Sequence, residues 1–327
     1  MIQKAIRCVV LLGFAALGDT SLLAQSVLAQ SASAQTIAPV TFMTAGEGSA
    51  FLPYGQGIAA YLATKGITIE VKKSAGSNEN LSGVDASTTT IGTAFIGSVY
   101  DAVNGTGWAN GHKHENVRAL FPMYETSFQI GALRKSAIRS FGDLDGKTVG
   151  VGPAKGPAEM FFRAAAEIAN IKPVIVNGDP AALSKRVIAG EIDALWQGAV
   201  VPIPSLSAVA DQADAIVFGL SDAEVAAMLL KLPQLAATTI PAGTYRGQTA
   251  DVRSVSAWNF VIANKNLSED TAYAITKAVL SAADPKSLIY PAAAGTLARN
   301  AVNNRVMPFH PGAKRFYDEA GIKLPSP

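Results

Sequence analysis

The stretch "GKTVGVGPAKGPAEMFFRAAAEIANIKPVIVNG", residues 146–178, contains an apolar run, a glycine-rich turn, a helix-like run and a second apolar run. Pro157 suits the first turn of a helix, because its missing N–H would have no partner there in any case. Strand, loop, helix and strand in this order predict a parallel βαβ unit.

The same order occurs earlier in the chain, in "PVTFMTAGEGSAFLPYGQGIAAYLATKGITIEVKKS", residues 39–74. A polar turn, a short helix and a small apolar strand follow each copy, ending in "TIGTAFIG" and "EIDALWQG". Two similar α/β halves predict two lobes. Because open parallel sheets bind ligands at the carboxyl ends of their strands, we expect the loops of both halves to meet at one cleft.

Two extended runs predict the chain crossings between the lobes: "MYETSFQIGALRKS" (123–136) and "VRSVSAWNFVIAN" (252–264). A later segment, "SEDTAYAITKAVLSAA", predicts a helix with Ser268 as its N-cap, which should pack back on the first lobe. The sequence therefore predicts a discontinuous lobe 1, residues 35–128 and 256–327, and a lobe 2 of residues 129–255.

The first 34 residues predict a cleaved secretory signal peptide. Lys4 and Arg7 precede "CVVLLGFAAL", which is too short to span a bilayer, and "ASA" ending at Ala34 is a small-x-small cleavage site, with a cut after Ala29 as the alternative. Cys8 is the only cysteine and would leave with the signal, so no disulfide is expected. A bacterial periplasm is the expected location.

Composition predicts a folded chain with a large core, since hydrophobic residues make up 49% of the 327 residues and charged residues 16%. The net charge of +2 and the lack of a basic stripe argue against a nucleic-acid partner.

Catalytic motifs are scarce. His112 and His114 flank Lys113 in a glycine-rich stretch that predicts an exposed loop, and a metal site there would lack an evident third ligand. His310 is expected to be structural, and no G-x-S-x-G motif occurs. The sequence therefore favours binding over turnover, with no enzyme activity, cofactor or metal expected.

The glycine-rich turn does not fit a nucleotide motif. Its glycines are spaced wrongly for G-x-G-x-x-G, and Lys155 is followed by Gly156 rather than by Ser or Thr as in a P-loop. Two interpretations remain: an anion site made by backbone N–H groups at a helix N-terminus, or an ordinary βα turn.

The mature chain resembles the TAXI family of solute-binding proteins, which serve TRAP-type transporters. The resemblance is carried by "SAFLPYG" (49–55), "SAGSNENL" (74–81), "FGDLDGKTVGVGPAKGPAE" (141–159), "VIAGEIDALW" (187–196) and "IPAGTYRGQTADVRSVSAWNFVIAN" (240–264). It implies an α/β, two-lobed type II periplasmic-binding-protein (Venus flytrap) fold, each lobe a mostly parallel sheet flanked by helices. It also implies a monomeric receptor that captures a small organic carboxylate, such as glutamate or 2-oxoglutarate, for a TRAP-type permease.

Departures from the family pattern bear on the ligand. Hydroxyl-bearing family residues are replaced in the first loop, in the strand after the second helix and in the glycine-rich turn, where a lysine appears. Fewer hydroxyl groups predict a carboxylate less polar than glutamate, because buried polar ligand groups need partners. Lys155 and two helix N-termini would neutralise the carboxylate, while Phe51, Tyr54, Ile96 and Trp196 would line the apolar part.

The resemblance and the loop pattern together give these candidate ligand-binding residues: Gly48, Ser49, Ala50, Phe51, Tyr54, Ser77, Asn78, Ile96, Gly97, Ser98, Lys155, Gly156, Pro157, Ala158, Trp196 and Gln197. Several alternatives stay open. Trp196 could be core, and polar groups could come instead from Asn78, Gln197 and Asn259. A ligand-sensing subunit or a secreted enzyme could use the same scaffold.

Overall fold

The computed structural model describes residues 39–46, 49–154 and 156–326. The predicted signal peptide with Cys8, and the candidate residues Gly48 and Lys155, lie outside the described residues. The first βαβ copy and its extension form β1 (Val40–Met43), α1 (Phe51–Ala63), β2 (Ile69–Lys72), α2 (Ser77–Ala86), β3 (Thr90–Phe95) and α3 (Ile96–Asn104).

A long strand, β4 (Val117–Leu133), follows and leads into the second copy. That copy forms β5 (Thr148–Gly150), α4 (Pro157–Ala169), β6 (Val174–Val176), α5 (Pro180–Ala189), β7 (Ala194–Ala199) and α6 (Pro204–Gln212). The chain continues through β8 (Ala215–Phe218), α7 (Asp222–Lys231), β9 (Leu235–Ile240), β10 (Val252–Asn264), α8 (Glu269–Leu280), α9 (Pro285–Leu288) and α10 (Pro311–Glu319).

The strands join in one curled sheet in the order β2-β1-β3-β10-β4-β7-β5-β6, with β8 paired to β4 and β9 paired to β10. We call β2, β1 and β3 the first wing, and β7, β5 and β6 the second wing. Each wing is parallel, and each has its first strand in the middle, so the internal repeat predicted from the sequence is confirmed. Between the wings, β10 and β4 pair antiparallel with each other and with their neighbours. The sheet as a whole is therefore mixed, while the sheet of each wing is parallel, as expected.

The sequence pattern predicts a loop over residues 46–55 and a helix over residues 56–66, but helix α1 already begins at Phe51. The glycines in this segment are required by close packing and do not mark a loop. A Cβ on Gly55 would lie 2.3 Å from the Thr44 Cγ2, and a Cβ on Gly57 would lie 2.1 Å from the Ile289 carbonyl oxygen. These two glycines let α1 lie directly on β1 and on the segment after α9.

Buried side chains form two separate cores and one that both wings share. The first core is built around β1, α1, α8 and α10 and includes Phe42 and Ile58. The second is built around α5, α6 and β8 and includes Leu183 and Leu206. The shared core runs along β4 and β10 and takes in Phe128 together with side chains of both wings. Helix α8 packs in the first core, where the sequence predicted it. No helix in the described part of the chain has the length and apolarity that crossing a bilayer requires.

His310 caps the last helix. It is fully buried, and its Nδ1 accepts a hydrogen bond from the Gly312 N–H at 3.1 Å. Burial lowers the pKa of His310 below its usual value, and Arg118 adds to this while Glu269 opposes it. The neutral ring is therefore the form that caps α10, which agrees with the structural role expected for this histidine.

We expect stability to fall in mild acid partly because of His310. Below about pH 6.5 this imidazole is protonated in the unfolded chain but stays neutral in the folded protein. As the pH decreases, the free energy of unfolding therefore falls by up to about 1.4 kcal/mol per pH unit for this group. An Asn at this position can still cap the helix, so His310→Asn should lose this part of the slope. Urea unfolding from pH 7.5 to pH 5 measures it, and a variant with the wild-type slope would contradict the assignment.

Candidate functional site

A central cavity of about 450 Å³ lies between the two wings, against the β4 and β10 crossing. It is lined by Ser49, Ala50, Phe51, Ser77, Phe95, Tyr124, Thr126, Phe128, Pro153, Gly156, Pro157, Ala158, Gln197, Gly198, Ala199, Val200 and Asn259. Both wings and both crossing strands contribute to these walls, so the cavity occupies the cleft predicted from the two βαβ copies.

Three helices begin at this cavity. The N-terminal residues of α1, α2 and α4 line it, and their N-cap residues Ala50, Gly76 and Gly156 make no side-chain cap. The N-caps of α3, α6 and α8 make none either, whereas α5, α7, α9 and α10 each have one. The first N–H groups of a helix have no partner inside the helix and carry partial positive charge. Three such ends at one cavity create an environment that favours an anion.

Two serines order the entrances to these helices. The Ser49 Oγ accepts a hydrogen bond from the Phe51 N–H at 3.2 Å, and the Ser77 Oγ accepts one from the Phe95 N–H at 3.0 Å. Each serine therefore fixes a turn of backbone at the cavity and can still donate its hydroxyl proton to a bound molecule.

The walls are otherwise apolar. None of the described lining residues is Asp, Glu, Lys, Arg or His, and four are aromatic: Phe51, Phe95, Tyr124 and Phe128. Burial raises the pKa of Tyr124 well above its usual value, with smaller contributions from Tyr54 and Tyr290, so its phenol stays neutral. The cavity thus combines positive helix ends with uncharged, largely aromatic walls.

Half of the sixteen candidate residues line this cavity: Ser49, Ala50, Phe51, Ser77, Gly156, Pro157, Ala158 and Gln197. Three others, Asn78, Gly97 and Ser98, line a neighbouring cavity of about 470 Å³ that shares Phe95, Gly156 and Pro157 with the first. Asn259, expected as another source of polar groups, lies on the central cavity, with its Nδ2 donating to the Tyr124 carbonyl at 3.0 Å.

Tyr54, Ile96 and Trp196 are corrections, because all three are fully buried in the cores. The Tyr54 hydroxyl shares a hydrogen bond of 2.8 Å with the Thr296 hydroxyl. Ile96 packs in the shared core beside α2. The apolar wall expected from these three side chains is built by other residues.

Trp196 supports the site from behind. Its ring stacks on Phe128 with centroids 5.6 Å apart, and its Nε1 donates to the Ala158 carbonyl at 2.9 Å. It therefore fixes the first turn of α4 and the aromatic wall in position without touching the cavity.

Sequence reasoning missed the wall that β4 provides. Tyr124, Thr126 and Phe128 are alternate residues of this strand, so their side chains share one face. The alternation was visible inside the run predicted to cross between lobes. A strand that crosses between the lobes must pass the cleft. The alternating pattern within this run could therefore have predicted that one face of the strand lines the cavity.

Asn80 holds α2 in place at the cavity. It is fully buried, and its Nδ2 donates to the carbonyl oxygens of Thr44 at 2.6 Å and Thr93 at 2.8 Å. Its Oδ1 accepts from the Ser74 hydroxyl at 2.6 Å. One side chain thus ties the first turn of α2 to the ends of β1 and β3.

Solved structures show the class of fold. A TctC solute binding protein from Polaromonas superposes with a TM-score of 0.56 at 12% identity, over 80% of this chain and 88% of that one. MatC from Rhodopseudomonas palustris with bound malate gives 0.50 at 13% identity, over 86% and 96%. A periplasmic transporter gives 0.50 at 12% identity, over 86% and 92%. The fold is that of periplasmic solute-binding proteins, as predicted.

Residues 42–321 match the NMT1-like family, and the chain belongs to it. The match begins in β1 and runs past the end of α10, so it includes both wings and every described residue of the central cavity.

Replacing Asn80 should destabilise the fold because two buried carbonyl groups each lose a hydrogen bond. We expect Asn80→Ala to lower the free energy of unfolding by about 2–4 kcal/mol in urea unfolding. Asn78→Ala is the matched control, since Asn78 is exposed on the same helix and should change stability by less than about 0.5 kcal/mol. Equal losses in the two variants would contradict the anchoring role.

Proposed function

We propose that this protein is an extracytoplasmic solute-binding receptor that captures a small organic carboxylate in the central cavity and delivers it to a membrane permease. The convergence of three helix N-termini on one cavity carries the proposal. A carboxylate there would accept hydrogen bonds from free N–H groups in the first turns of these helices and would be stabilised by the helix dipoles.

The second part of the ligand is apolar in this proposal. Phe51, Phe95, Tyr124 and Phe128 offer ring surface, and the polar side chains at the described cavity wall are uncharged. A second carboxylate on the ligand would have to give up water without gaining a cationic partner from these residues. MatC is described with bound malate, a dicarboxylate. The walls here favour a monocarboxylate with an aromatic or branched part.

The proposed receptor closes around its ligand by a hinge motion of two lobes, residues 35–128 with 256–327 and residues 129–255. Two observations support this division. The buried residues of the first core all come from the first of these segments, and those of the second core all come from the other. The chain passes between them on β4 and β10, where Ser127 pairs with Ser256.

The proposed partner is a TRAP-type permease. The proposed location is the periplasm, to which the signal peptide would direct the chain, and the proposed receptor is a monomer. This assignment to the TAXI type rests on the sequence resemblance. In this proposal the receptor binds its ligand without transforming it.

A thermal-shift screen tests the ligand class. Aromatic and branched monocarboxylates should raise the melting temperature, with stabilisation of about 2.7 kcal/mol at a concentration 100 times the dissociation constant. Malate, glutamate and 2-oxoglutarate should stabilise less. Stabilisation by these dicarboxylates alone would refute the apolar ligand, and stabilisation by no carboxylate at all would refute the receptor function as stated.

Phe51 offers a sharper test of the aromatic wall, because it is only half-buried and its truncation should leave the fold intact. Phe51→Ala should weaken binding of an aromatic carboxylate by about tenfold, as expected for the loss of roughly 1.5 kcal/mol of apolar contact. Met160→Ala is the control, since Met160 lies outside the central cavity and is 41% exposed. Calorimetric titration should show wild-type affinity for this control.

A Lys155 variant distinguishes the contribution of the lysine charge to ligand binding from the contribution of the helix N-termini. Lys155 precedes Gly156 directly in the sequence, and we expect Lys155→Ala to weaken carboxylate binding by about two- to fivefold and to reduce its salt dependence. Titrations at low and high salt measure both effects. Unchanged affinity and salt dependence would mean that the backbone of the turn acts alone.

A further inference from the structure

Asp85, His112 and His114 form a cluster away from the central cavity. Asp85 is the second-last residue of α2, and the histidines lie in the loop after α3. The Asp85 Oδ2 is 3.4 Å from the His114 Nδ1 and 3.9 Å from the His112 Nε2. One ligand atom from each of the three residues falls within 4.8 Å of the others. The third ligand that the H-x-H spacing lacked in the sequence is therefore supplied by α2.

One buried nitrogen of this cluster, the His114 Nδ1, has no hydrogen-bond partner among the described residues. The His114 side chain is only 7% exposed. The contact to the Asp85 Oδ2, at 3.4 Å, is longer than an ordinary hydrogen bond. A buried polar atom without a partner costs free energy, and an imidazole nitrogen with a free lone pair is a metal ligand.

Asp85 is held with one oxygen facing the histidines. Its Oδ1 accepts a hydrogen bond from the Asn116 N–H at 2.9 Å, and the Asn116 Nδ2 donates to the Asp85 carbonyl at 3.1 Å. A carboxylate near the C-terminal end of a helix is disfavoured by the helix dipole. A cation beside the Oδ2 would offset this unfavourable interaction. The hydrogen bond from Asn116 would orient the Asp85 carboxylate as a metal ligand.

The histidine loop is fixed by its own backbone. The N–H groups of His112 and His114 donate to the carbonyl oxygens of Ala109 at 2.8 Å and Ala102 at 2.9 Å. The Gly111 N–H closes the loop on the Gly105 carbonyl at 2.8 Å. The two rings lie perpendicular, with centroids 4.7 Å apart. Both rings are thus held at the carboxylate by backbone that is already ordered.

We propose that Asp85, His112 and His114 bind a divalent transition-metal cation of the zinc class. Two imidazole nitrogens and one carboxylate oxygen are a ligand set that zinc accepts, with metal–ligand bonds of about 2.0–2.2 Å. Tetrahedral bonds of that length place ligand atoms about 3.3–3.6 Å apart, so small side-chain movements close the site. His112 is 69% exposed, which gives the cation an entry path.

The cation would join the loop after α3 to the end of α2. Trp108 lies between this proposed metal site and the neighbouring cavity of about 470 Å³. Its ring lies 5.1 Å from the His114 ring, its Nε1 donates to the Ser98 carbonyl at 3.0 Å, and it lines the second cavity. Bound metal should therefore be visible in the fluorescence of this tryptophan.

The test uses the full protein, purified without a histidine tag and treated with a chelator. Calorimetric titration with Zn²⁺ should show one site per chain. His112→Ala and Asp85→Asn should each weaken it at least about tenfold, since even loss of a group behind a ligand costs about 10–100-fold. Lys113→Ala, between the two histidines, should bind as the wild type does.

Two further measurements keep folding and binding apart. Circular dichroism and melting of the metal-free protein should be unchanged in His112→Ala, because this side chain is exposed. Co²⁺ should quench the fluorescence of the wild type, and Trp108→Phe should lose this quenching while retaining calorimetric Zn²⁺ binding. The proposal is overturned if the wild type binds Zn²⁺ no more tightly than His112→Ala, or if Lys113→Ala lowers the affinity as much as the histidine variant does.

Discussion

The antiparallel ladder between β4 and β10 is the constraint on which the rest of the structure depends. The first wing is attached to the sheet through the pairing of β3 with β10, and the second through the pairing of β7 with β4. β8 and β9 also pair with these two strands. The buried Asn259 links the strands by side chain as well, through the Tyr124 carbonyl and the Thr126 hydroxyl. The position of each wing is therefore set by its register on this pair of strands.

The cavity follows from that arrangement. In a parallel βαβ unit the helix starts at the carboxyl end of its strand, and each wing is attached so that its helix starts face the crossing. α1 and α2 reach the cavity from one wing and α4 from the other. The crossing strand adds the aromatic wall, and Trp196 secures that wall to the first turn of α4. Positive helix ends and apolar rings come together because the same two strands organise both.

The sequence predicted those parts of the fold that depend on local pattern. The run "VRSVSAWNFVIAN" coincides with β10, and Ser268 precedes α8 as expected. The start of α1 was missed because Gly55 resembles a loop residue unless the approach of Thr44 is known. Trp196 and Phe128 have similar chemistry, and only their packing decides which of them lines the cavity. Asp85 lies 27 residues before His112 (112 − 85), and no motif spacing connects them.

The helix ends at the cavity have a further consequence, because a peptide dipole does not titrate. The described wall has no carboxylate, imidazole or ammonium group, and the pKa of its phenol, Tyr124, is raised by burial. Over ordinary acidities these residues therefore keep the same charge. The pH dependence of any anion bound there is set by the ionisation of the anion itself. An anion that stays ionised would therefore meet the same charges at these residues as the acidity of the solution changes.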